Sequence, residues 1–144
     1  MKKISLIQWF AWFYAGMFLI VVFIGHIPFF TDKQGYLFGF YNVSPLIDMV
    51  HFLAGILAII AAWHSIKWAT YYFRFIAIPF SLDAIVSFLF SRDLTETGSI
   101  LYRGLGPVDF SFHNLVANSP HIFIAGFALW VGFWLSKRVS QSSN

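Results

Sequence analysis

The chain has 144 residues, of which 59% are hydrophobic, 22% aromatic and only 10% charged, with a formal net charge of +3 and no cysteine. A soluble domain of this size carries about a quarter of its residues charged and buries only about two-thirds of its surface, so this much phenylalanine excludes an ordinary soluble fold. Composition equally excludes a disordered tail, a disulfide scaffold, iron–sulfur clusters and thiolate zinc, and the scattered basic residues offer no nucleic-acid surface.

One integral membrane domain over 1–144 is the reading left, an all-α four-helix bundle. No charged side chain occurs from Ile4 to Thr31, more than the roughly 20 residues that cross a bilayer. Lys2 and Lys3 precede this run, but it is too long for a signal core and lacks a small-x-small cleavage site. It reads as a retained first span, 4–28. A turn-rich stretch follows, punctuated by Thr31, Asp32, Gly35, Gly39, Asn42 and Pro45. Ser44 and Pro45 offer a start for the second span, 46–65. The third, 71–90, is interrupted by Pro79 and carries Asp83; a polar outer loop, 91–114, leads to the fourth, 115–136, closed by Lys137 and Arg138.

Orientation follows from lysine and arginine, which cytoplasmic loops retain. With both termini cytoplasmic, the inside holds Lys2, Lys3, Lys67, Arg74, Lys137 and Arg138, and the outside only Lys33, Arg92 and Arg103. All six tryptophans then lie towards the cytoplasmic interface. A multi-pass protein of the inner, cytoplasmic membrane is expected. Its partners are the lipid bilayer and, beyond it, other membrane subunits or further copies of itself.

An ionisable residue inside a span costs a few kcal/mol, so it normally faces the bundle interior with a partner. The candidates are His26, Asp48, His51, Asp83 and His121, all in the outer third, and every span contributes at least one. At 1.5 Å per residue His51 lies about 8 Å into its span. The second and fourth spans also repeat one another. At offsets −3, 0, +4, +7 and +11 from each histidine, one reads Asp48, His51, Gly55, Ala58, Ala62 and the other Asn118, His121, Ala125, Ala128, Gly132. These offsets share a helix face, which points to an internal duplication of helix pair against helix pair. Taken singly, each residue has a plain structural use. Small residues let helices approach closely in lipid, and Asp48 and Asn118 suit a first helical turn.

Taken together, three histidines and two carboxylates suit a transition metal held by His26, Asp48, His51, Asp83 and His121. They equally suit one haem b with His51 and His121 as axial ligands, the Gly/Ala faces making room for the macrocycle. Either could serve redox chemistry or electron transfer. The alternative is a non-catalytic accessory or scaffold subunit of a larger membrane complex, in which the cluster is a structural hydrogen-bond or proton-handling network. Asp83 would then pair with His51 or His121. No catalytic triad, phosphate loop or zinc-protease motif is present.

The Asp48-x-x-His51…Gly55 opening of the second span and the Asn118-x-x-His121 opening of the fourth resemble a group of small four-span bacterial membrane proteins of unknown function. The resemblance covers mainly those two segments and implies the architecture, with no activity to carry over.

Overall fold

A computed structural model describes residues 4–90 and 107–141. Most of the 91–114 loop, with Arg92, Asp93, Glu96 and Arg103, lies outside the described residues, as do Lys2 and Lys3.

Each helix begins at a serine that satisfies an otherwise orphaned backbone N–H. Helix α1 (Leu6–Gly25) opens with a capping box: Gln8 N–H donates to Ser5 Oγ at 3.2 Å, and Ser5 N–H donates back to Gln8 Oε1 at 3.2 Å. Helix α2 (Pro45–His64) has Ser44 as its cap and proline in its first turn. Helix α3 (Ile66–Phe90) starts five residues before Tyr71, because Ser65 ends α2 and at once caps α3 by accepting from Trp68 N–H at 3.3 Å. Helix α4 (Phe112–Leu129) is capped by Ser111 and runs on through a π-helical segment (Trp130–Leu135) into Ser136–Gln141.

All four are long and apolar enough to cross a membrane. An even number of spans returns the chain to the side from which it entered. The helices pack as two hairpins, α1 with α2 and α3 with α4, joined mainly through α3. The small-residue faces make those hairpins. Gly55, Ala58 and Ala62 are buried, as are Ala125, Ala128 and Gly132. A Cβ on Gly55 would stand 2.9 Å from Leu19 Cγ of α1, and one on Gly132 would stand 3.0 Å from the Arg74 backbone nitrogen of α3. The two faces are filled by the neighbouring helix of the same hairpin, so they leave no room for a macrocycle along their length.

Between the hairpins lies an aromatic core. On α1, Ile7, Ala11, Tyr14, Ala15 and Phe18 form one buried stripe at helical spacing. Tyr14 is fully buried, its ring edge-on to Phe73 and stacked on Phe127, and its hydroxyl donates to the Ile124 carbonyl at 2.8 Å. Lower down, the π-helical segment leaves the Gly132 carbonyl to accept from Arg74 Nε at 2.8 Å and Ser136 Oγ at 2.7 Å. The one arginine within α3 is thereby tied to α4 rather than left to lipid.

The turn-rich connection after α1 folds as a small hairpin of β1 (Tyr36–Leu37) and β2 (Tyr41–Asn42), with Tyr36 paired to Asn42 and Leu37 to Tyr41. Asp32 fixes its approach by accepting from Gln34 and Tyr36 N–H at 2.9 and 2.8 Å. Its tip turns through Phe38 and Gly39 at φ 54° and 74°, the left-handed region that glycine enters at little cost. Leu37 is buried beneath it.

Candidate functional site

The five ionisable residues expected to cluster do collect at the bundle end away from the termini, but as two pairs and a single residue. His26 is the C-cap of α1 and Asp48 lies in the first turn of α2, with His26 Nε2 2.9 Å from Asp48 Oδ2. Asp83 of α3 and His121 of α4 make the second pair, Nδ1 to Oδ2 at 2.9 Å. Each pair thus bridges the two helices of one hairpin. Their surroundings differ. The His26 side chain is 66% exposed against 15% for Asp48, whereas His121 and Asp83 are 20% and 15% exposed. The first pair sits at the rim and the second inside the bundle.

His51, one turn beyond Asp48, joins neither pair. Its ring stacks on Phe18 at 5.5 Å and lies 6.5 Å from Phe80, nearly parallel to both. Its Nδ1 is buried and meets no hydrogen-bond partner among the described residues. A buried nitrogen without a partner costs of order 1–3 kcal/mol. Among the described residues no group of three or more His, Asp or Glu side chains is placed to hold one metal ion.

Four of the five, His26 excepted, border a cavity of about 620 Å³ between the two hairpins, within the range of small-molecule sites. Its walls are mostly apolar: Met17, Phe18 and Val21 from α1, Val50 from α2, Phe80 from α3, Phe123 from α4. Asp48, His51, Asp83 and His121 all reach it, and the β1–β2 hairpin borders it through Tyr36, Phe38 and Tyr41. Phe40 stacks on His113 at 5.2 Å, tying that hairpin to the start of α4.

Asn118, matched to Asp48 by the repeat, does a different job. Its Nδ2 donates to the Ser87 carbonyl at 3.0 Å, while Asn114 Nδ2 donates to the Phe88 carbonyl at 3.0 Å and to the Asp109 carbonyl at 2.6 Å. The two amides satisfy carbonyls that the last turn of α3 leaves open. Asn114 went unnoticed in the sequence because a lone asparagine in a polar loop carries no signal of what it will cap. The cavity and its hairpin border were missed too: alternating aromatics of 36–41 show no helical or strand period long enough to read.

Among known families, the model described as "Domain of unknown function (DUF4383)" matches residues 8–108, more than half of the chain. The matched segment includes His26, Asp48, His51 and Asp83 and ends before His121. No curated protein matches the chain, and no solved structure does.

Proposed function

We propose, for a chain that belongs to the DUF4383 family of unknown function, that it is a multi-pass membrane protein which takes a small, largely apolar molecule into the cavity between its hairpins. His51 and the Asp83–His121 pair would meet the polar part of that molecule. The observation that carries this reading is the cavity itself: about 620 Å³ of apolar wall, with its ionisable groups on the same few helical turns. Lipid-facing helices need no such space, since interiors normally close to crystal-like density. His51, which borders the space, adds an imidazole that could meet the polar part of an occupant.

A transition metal and haem b are two specific versions of such an occupant. A metal ion alone would draw at most two side chains from either pair, the third ligand coming from elsewhere. For haem b, Asp83 on Nδ1 of His121 resembles the carboxylate brace of iron-bound imidazoles. Positive charge on the loops at the other end supports an extracytoplasmic position for the cavity in an inner membrane.

The test is native mass spectrometry of the full chain released from mild detergent, wild type beside Ala117→Phe. Ala117 lines the cavity and its side chain is small, so phenylalanine there intrudes into the space. Retained mass of one small molecule per chain, lost in the variant, supports the reading. Bare chain in both, with no binding of any added apolar compound, sinks it.

The second reading is a scaffold or accessory subunit in which each His–Asp pair is a staple. What favours it is that both pairs join neighbouring helices of one hairpin. It predicts that replacing either pair lowers stability and changes no ligand content.

A further inference from the structure

We infer that the occupant of the cavity is a neutral, planar, hydrogen-bonding ring on an apolar tail, the chemistry of a prenylated quinone, with the ring beside His51 and His121. The inference rests on the ligand-binding reading above and narrows it. Charge selects the head. Every carboxylate bordering the cavity is matched by a histidine at 2.9 Å, Asp48 by His26 and Asp83 by His121. No lysine or arginine lines the cavity among the described residues. An acidic head, whether fatty acid, phosphate or the two propionates of haem, would meet Asp48 and Asp83 with no fixed cation to receive it. An amine would compete for carboxylates that already have partners. A neutral head avoids both costs.

Shape selects the ring. His51, Phe18 and Phe80 stand as nearly parallel or tilted planes, with Phe18 and Phe80 at 5.4 Å, so the wall around the imidazole consists of aromatic faces. Such faces favour offset stacking with another flat ring. Hydrogen bonding selects its substituents. His51 borders the cavity, and imidazole can donate to a ring carbonyl or accept from a ring hydroxyl. Asp83 fixes the ring orientation of His121 from the Nδ1 side. Quinone and quinol offer oxygens that suit either direction of the bond. Met17, Val21, Val50, Phe123 and Ile124 line the remainder for a hydrocarbon tail.

The experiment is binding of three probes with ten-carbon chains to the full chain in one detergent: decylubiquinone, decanoate and decylamine, with decylbenzene as the tail control. Decylubiquinone is expected to bind saturably, at least tenfold tighter than the other three. Loss of one hydrogen bond should weaken it about tenfold in His51→Leu, and Ala117→Phe should abolish binding. The probe series on the wild-type chain decides even if a variant fails to fold. Decylbenzene binding as well as decylubiquinone, or decanoate binding best, overturns the quinone assignment while leaving an apolar-ligand cavity standing. So does a Soret band in the purified protein. Binding of none of the four in a manner sensitive to Ala117→Phe removes the cavity reading as well.

Discussion

Asp48 and Asp83 each stand 2.9 Å from a histidine nitrogen, but the first pair opens to solvent through His26 and the second is enclosed by α3 and α4. Enclosed partners suffer most when one is removed, because the other is left buried and uncompensated. Asp83→Ala is therefore expected to lower stability by about 2–4 kcal/mol, and His26→Ala by less than about 1 kcal/mol. Thermal unfolding in detergent compares the two, and equal losses would contradict the difference in surroundings. The Asn118 amide offers a sharper case. Replacing it with aspartate removes the donor to the Ser87 carbonyl and sets a carboxylate against it, at an expected cost of about 1–3 kcal/mol. At this scale the sequence announced which residues were out of place in a membrane and that all lay at one end. It could not announce their partners. Asp48 has His51 one turn away on its own helix, yet it pairs with His26, which the α1–α2 connection brings across. Pairing is set by how helices cross, and no spacing within one helix encodes that.

At the scale of the helix, Pro120 and the small residues show how the geometry is set. Pro120 has no N–H to give the Val116 carbonyl, and the Ser119 hydroxyl donates to that carbonyl at 2.9 Å instead. Close approach accounts for the glycines. Gly132→Ala would place a Cβ 3.0 Å from the Arg74 nitrogen and 3.2 Å from the Phe73 carbonyl carbon, backbone atoms that cannot swing aside. It should cost about 1–3 kcal/mol. Gly126→Ala, with nothing within 4 Å of its Cβ, should be neutral or raise stability by up to about 1 kcal/mol. Melting temperatures of the two variants test the hairpin packing, and a harmless Gly132→Ala would contradict it. Four apolar helices were legible from hydropathy alone. Their exact starts were less so: Ser65 closes one helix and opens the next in a single residue, which leaves no loop to recognise.

For the whole molecule, two hairpins packed through a Tyr14-centred core leave a cavity at the end away from the termini. The chain contains no cysteine, so single cysteines report its orientation directly. Lys33→Cys should react with a membrane-impermeant maleimide on intact cells, and Lys67→Cys only after permeabilisation; the reverse pattern would invert the topology. That a cavity exists was not legible, because a void depends on where four helices fail to meet rather than on any residue. The central claim is that this space is occupied by an apolar molecule, and photolabelling with an aliphatic diazirine tests it most directly. The account predicts saturable adducts at the cavity residues Val21, Val50 and Ile124, competed by decylubiquinone and lost in Ala117→Phe. Adducts confined to outward-facing positions such as Ile20, Ile60 and Ile78, unchanged by competitor or variant, would contradict it.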